Sequence, residues 1–214
     1  MTISPSVELI SKLAIMHSPF KLIIITTEKE FPNEVEILEE LFQLGVRHFH
    51  IRKEKDALTH QLISKCSAHI LPHIVVHANK ISLYKNVKGI HLKEKFRSQA
   101  ELFSNKIIST GFHSFDELEQ DTYPYEYVFF SPLFDSISKP GYFPKYSEES
   151  LKKYISSNRS SSTVRPALIA LGGVTVENIA KLKEMGFDGA AVLGSLWNSN
   201  DPVAYYKQLV EQIK

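Results

Sequence analysis

The sequence predicts a (β/α)₈ barrel in a single domain, residues 1–214, with an extra helix over residues 4–16 leading into it. Three observations predict it. Eight short, nearly continuous apolar runs recur along the chain. Segments of helical periodicity separate them. The last two runs end in glycine, where barrels of this kind gather their chemistry.

The runs are KLIIIT (21–26), HFHIR (48–52), HIVVH (73–77), KGIHL (88–92), KIISTG (106–111), EYVFFS (126–131), ALIALG (167–172) and GAAVLG (189–194). Most lack the strict alternation of a half-exposed antiparallel sheet, and instead suit parallel strands covered on both faces. Between them, Val35, Leu38, Leu41 and Phe42 share one helical face, as do Ile179, Leu182 and Met185. Ser114 followed by Glu117 is the pattern of a capping box. The stretch SSNRSSST (156–163) reads as a solvated loop before the seventh strand, on the face away from chemistry. SPLFDSISKPGYFPKYS (131–147) follows the sixth strand and is long enough to serve as a lid.

Composition narrows the function classes. The 214 residues are 43% hydrophobic, ample for a core, and the formal net charge of +1 creates no global field toward nucleic acid or a membrane. No apolar stretch reaches the length of a membrane span, and the N-terminal twenty residues lack the basic and apolar regions of a signal peptide. Cys66 is the lone cysteine, so a reduced, cytoplasmic setting is expected. A homo-oligomer is compatible with the sequence. The expected partners are small phosphorylated molecules.

That last expectation rests on the glycines. Gly172-Gly173 closes the seventh run and Gly194-Ser195 the eighth. Glycine lets backbone N–H groups approach an anion, and a following helix start adds its positive dipole end. Polar side chains fall at the same face. They are His50, Arg52, Lys53 and Lys55 around the second run, His77 after the third, His91 in the fourth and His113 after the fifth. Ser136, Ser138 and Lys139 lie in the long loop. Guanidinium forks and mobile ammonium groups both suit phosphate oxygens. No HxxxH or CxxC spacing points to a metal cage, and no metal ligand is assigned.

The segments FHIRKEKD, VKGIHL, GFHSFDELE, YVFFSPLFDSISKPGY and ALGGVTVENIAKLKEMGFDGAAVLGSLW resemble, in order, the thiamine-phosphate synthase/TenI superfamily. The resemblance implies a transferase of thiamine biosynthesis. It would join hydroxymethylpyrimidine pyrophosphate to thiazole phosphate, releasing pyrophosphate by way of a pyrimidine cation. It places Arg52 and Lys139 on the pyrophosphate, with Ser136 and Ser138 in place of the family's two lid threonines. Gly173, Leu193 and Gly194 match the backbone around the thiazole phosphate.

The departures are specific. Where the family has a Mg²⁺-binding carboxylate after strand three, this chain has Asn79. The second falls on Phe96, and a pyrimidine-contacting serine aligns with Gly111. Mg²⁺ is therefore expected to bind weakly, or only with substrate. The alternatives are a TenI-type thiazole tautomerase, whose histidine position holds Pro132 here, and a non-catalytic phosphate-ligand barrel. His77, His91 and His113 are the candidate acid/base groups. Arg52, Lys139 and His113 form the candidate catalytic set, with His50, His77, Asn79, His91 and Gly111 as further pocket candidates.

Overall fold

The computed structural model describes residues 20–77, 86–103, 105–134, 145–159 and 165–214. Eight parallel strands close on themselves in sequence order. They are β1 (Lys21–Ile25), β2 (Phe49–Ile51), β3 (Ile74–Val76), β4 (Gly89–Leu92), β5 (Ile107–Phe112), β6 (Tyr127–Phe130), β7 (Ala167–Ala170) and β8 (Gly189–Val192). Seven of the eight runs read as strands contain one of them, and the run 106–111 overlaps β5, which continues one residue further to Phe112. The residues 4–16 assigned to a leading helix lie outside the described residues.

Around the barrel run α1 (Glu34–Gln43), α2 (Asp56–Lys65), a 3₁₀ segment (Glu94–Phe103), α3 (Phe115–Gln120), α4 (Glu148–Arg159), α5 (Ile179–Met185), the single turn α6 (Gly194–Trp197) and α7 (Pro202–Ile213). Leu38 and Leu41 are the fully buried members of the α1 stripe, while Val35 and Phe42 pack at its margin. Ile179, Leu182 and Met185 are all buried. Burying a leucine contributes roughly 1.5–3 kcal/mol, so each stripe anchors its helix to the sheet. The N-cap of α3 forms as expected, with the Glu117 amide donating to Ser114 Oγ at 3.2 Å.

One reading needs correction. Residues 156–159 of SSNRSSST continue α4 and are not loop. Buried Leu151 and Ile155 hold that helix down. Asn158 turns its side-chain amide back onto the Tyr154 carbonyl at 3.0 Å, so polar residues extend the helix along its wet face.

Closure depends on β1 pairing with β8, where Lys21 lies opposite Gly189. A Cβ at Gly189 would strike the Lys21 carbonyl oxygen and lie 2.8 Å from Lys21 Cβ. Only a residue without a side chain lets the two strands meet there. Trp197 ties the same seam at the other end, its indole N–H donating to the Ile25 carbonyl at 2.7 Å. Two apolar layers result. A large one lies between sheet and helices, and a smaller one, including Ile23, Ile25, Phe129, Ile169 and Ala191, fills the barrel interior.

Candidate functional site

Strand register decides which side chains enter the barrel. His50 lies opposite Val75, and Val75 opposite Gly89. Two residues further along, His77 and His91 keep the same parity. His91 is then opposite Ser109, and Ser109 opposite Tyr127. The arc from β2 to β5 therefore projects polar groups inward, facing the apolar arc formed by Phe129, Ile169, Ala191 and Ile25.

Above this interior is a cavity of about 430 Å³ at the C-terminal ends of the strands. Arg52, His77, His91, Gly111 and His113 line it from β2 to β5, and Gly173, Leu193 and Gly194 from β7 and β8. Eight of the candidate residues thus share one chamber. His50 sits beneath, with no exposed surface. Asn79, Ser136, Ser138 and Lys139 lie outside the described residues.

The three inner histidines form a cluster. His50 Nδ1 is 2.9 Å from His77 Nε2, and His50 Nε2 is 2.5 Å from the Tyr127 hydroxyl. His91 Nδ1 is 2.9 Å from Ser109 Oγ, and the His77 and His91 rings stack with centroids 4.2 Å apart. Burial is the main reason that all three titrate far below the ordinary imidazole range, His91 at about 3. Like charges add to it, from the neighbouring rings at His50 and His77 and from Arg52 and Arg97 at His91. All three rings are neutral at pH 7. The absence of sequence-local metal spacing did not foretell this gathering, because the three residues come from three different strands.

Arg52 owes its place to Thr26. The fully buried threonine hydroxyl accepts the Arg52 amide at 2.9 Å, which pins the backbone as it leaves β2. The guanidinium reaches the rim, where it pairs with the more exposed Glu28. Exposed pairs of this kind are weak, so an anionic ligand can compete for Arg52. Lys53 behaves oppositely. It turns away from the mouth into a buried ion pair, with Nζ 2.7 Å from both oxygens of Glu34 and 2.8 Å from the Lys29 carbonyl. Counting Lys53 among the mouth cations is thus incorrect, since burial against Glu34 claims it.

On the other side, Gly172 and Gly173 adopt φ of 96° and 66°, left-handed values that favour glycine. A Cβ at Gly172 would come within 3.1 Å of Pro132 Cα. The loop after β6 is stitched to this turn, as the Leu133 and Phe134 amides donate to the carbonyls of Leu171 and Gly172 at 3.1 and 3.2 Å. No helix starts directly after Gly173, since α5 begins only at Ile179. Gly194 does open a turn, α6, so its amide and that of Ser195 belong to the four that a helix start leaves without intrahelical acceptors. Ser195 Oγ donates to the Val174 carbonyl at 2.6 Å, locking the two loops together.

His113 is held at the rim, its Nδ1–H donating to the Ser131 carbonyl at 2.9 Å. In the neutral ring that bond leaves the lone pair on Nε2. Sequence reasoning missed Lys93 and Glu94, which also line the cavity. Both stand directly after β4, and position after a barrel strand was the signal that could have found them. It also missed Ser109 and Tyr127, which read as ordinary strand residues.

As a site for Mg²⁺, the described residues fit poorly. Phe96 packs against the core, and Glu94 is the one carboxylate among the described residues that line the cavity. The two-carboxylate donor set expected from the resemblance is not met there.

A closed eightfold barrel with its cavity at the C-terminal mouth, rimmed by glycine turns after β7 and β8, defines a (β/α)₈ protein of the kind that carries chemistry on its βα loops. The chain belongs to the thiamine monophosphate synthase (TMP-TENI) family, whose family model matches residues 22–196. It is 26% identical over 181 residues to the thiamine-phosphate synthase of Staphylococcus haemolyticus, covering 78% of this chain and 82% of that protein. It is 24% identical over 192 residues to that of Geobacillus kaustophilus, covering 84% and 85%. Among solved structures, thiamine phosphate pyrophosphorylase from Bacteroides thetaiotaomicron superposes with a TM-score of 0.75 at 28% identity, over 90% of this chain and 97% of that one.

Proposed function

We propose that this chain is a thiamine-phosphate synthase, a transferase that joins hydroxymethylpyrimidine pyrophosphate to thiazole phosphate. In the step, the bond between the pyrimidine methylene and the pyrophosphate oxygen breaks, and the pyrophosphate keeps the electron pair. The thiazole nitrogen then supplies its lone pair to the cation, forming the C–N bond. No proton needs to move.

The observation that carries this reading is the division of one cavity. Cations rim its β2–β4 arc, Arg52 and Lys93, and glycine backbone rims its β7–β8 arc, with apolar Ile25, Phe129 and Ala191 between. A substrate pair bearing a pyrophosphate at one end and a single phosphate at the other matches that layout. Arg52 balances charge developing on the leaving group, with Lys139 of the lid segment as its partner. Leu193, Gly173 and Gly194 receive the thiazole phosphate, and Ser136 and Ser138 donate to the pyrophosphate. Gly111 leaves room for the pyrimidine. Nothing within 4 Å of a Cβ built there is closer than the Phe129 carbonyl oxygen at 3.9 Å. Mg²⁺ contributes weakly, or only with bound substrate.

The test is incubation with both precursors over a Mg²⁺ titration, reading thiamine phosphate. Wild type is expected to form it. Arg52→Ala and Lys139→Ala are each expected to lower kcat by roughly 10²-fold or more, as loss of a single transition-state donor does. Near-normal kcat in both variants overturns the assigned roles. Absence of product from wild type at every Mg²⁺ concentration overturns the synthase reading.

A further inference from the structure

The histidine cluster has no task in the reaction just described, which moves no proton. We propose that His50, His77 and His91 form a binding site for a borderline transition-metal ion of the Zn²⁺ class, lying beneath the cavity. One nitrogen from each ring lies within 4.8 Å of the other two, and the pair between His50 and His77 is already at 2.9 Å. Tetrahedral coordination at about 2.0–2.1 Å requires ligand nitrogens about 3.3 Å apart. The His50–His77 pair must open by a few tenths of an ångström to reach that spacing, and any pair near 4.8 Å must close.

Two further features point to a metal. In two of the three rings, the nitrogen facing away from the centre has a partner. His50 Nε2 meets Tyr127 and His91 Nδ1 meets Ser109. With N–H donated to those hydroxyl oxygens, the lone pairs of His50 Nδ1 and His91 Nε2 are directed inward. This is the outer-shell arrangement that orients metal-bound histidines. Finally, His77 and His91 line the cavity while His50 closes the site below. An ion held by the three has its remaining coordination direction toward the chamber, as in open metal sites that accept water or a ligand oxygen. An all-imidazole set suits Zn²⁺, Co²⁺ or Ni²⁺ and is wrong for Mg²⁺, which requires oxygen donors. This site is therefore separate from the Mg²⁺ dependence discussed above.

The experiment reads metal binding on the protein alone, so it stands or falls independently of product formation. Chelator-stripped wild-type protein is titrated with Zn²⁺ by calorimetry and with Co²⁺ by visible absorption. One equivalent bound at micromolar affinity or tighter is expected, together with the intense ligand-field bands of a four- or five-coordinate cobalt site. His50→Gln and His91→Gln should each weaken binding by about 100-fold or more. Tyr127→Phe, which removes an orienting partner, should weaken it by roughly tenfold. Absence of stoichiometric binding below about 100 μM overturns the site, and so does equal affinity in wild type and His91→Gln. The latter would assign the metal to surface histidines. If the substituted proteins do not fold, the cobalt spectrum of wild type decides, since the weak bands of a six-coordinate ion overturn the proposal.

Discussion

Arg52 and Lys53 are neighbours with opposite fates, and the difference is set by what each can reach. Arg52 keeps its charge near the cavity, whereas Lys53 has a side chain only 1% exposed against Glu34 at 6%. Removing one partner of such a buried pair leaves an uncompensated charge, costing about 3–5 kcal/mol. Lys53→Met is therefore expected to lower stability by that order in urea unfolding. The Glu34→Leu/Lys53→Met double variant should recover most of the loss, because neither charge is then stranded. Substituting exposed Lys55 should do neither. Cys66 illustrates burial acting on reactivity. Desolvation, assisted by Glu39 and Glu34, pushes its thiol up to about 12. Only the thiolate is nucleophilic, so at pH 8 alkylation of the folded protein should be at least about 10²-fold slower than after denaturation. Equal rates by mass spectrometry would show that the thiol is not sequestered.

At the scale of elements, helix ends show how local chemistry fixes boundaries. Asp201 Oδ1 accepts the amides of Val203 and Ala204, each at 2.9 Å, at the start of α7, and Pro202 occupies the first helical position. Pro at that position is tolerated because its missing N–H would have been an orphan. Asp201→Ala should cost about 1 kcal/mol, and Asp201→Asn should restore most of it. A thermal melt distinguishes the two, and unchanged stability in the alanine variant would mean that packing alone holds α7. Much of this element level was legible beforehand. The apolar stripes of α1 and α5 and the cap at Ser114 follow from spacing over a single turn. The end of α4 was not legible, since a serine-rich run looks like loop until Leu151 and Ile155 dock it onto the sheet.

For the whole molecule, closure and the interior are coupled through two glycines with opposite roles. Gly189 sits where β8 meets β1, and any side chain there collides with backbone. Gly111 faces the cavity, with its nearest would-be contact at 3.9 Å. Gly189→Val is expected to abolish soluble folded protein, measured by yield and circular dichroism. Gly111→Val should fold with near-native melting yet reduce substrate affinity by filling the chamber. Normal affinity in a folded Gly111→Val protein would mean that the substrates do not use this part of the cavity.

The number of strands, their order, the buried faces of α1 and α5 and the glycine turns after β7 and β8 were determined by the sequence itself. Each is a short-range pattern, since strand apolarity, helical period and backbone freedom are written within a few residues. The tertiary structure alone decided that His50, His77 and His91 share one space, that Lys53 is removed from the mouth, and that Lys93 and Glu94 join the cavity wall. Those outcomes depend on barrel closure and on the register between strands, which bring residues 14 to 41 positions apart into one layer. They also depend on the cost of burying charge, which turns a lysine toward a carboxylate that can neutralise it.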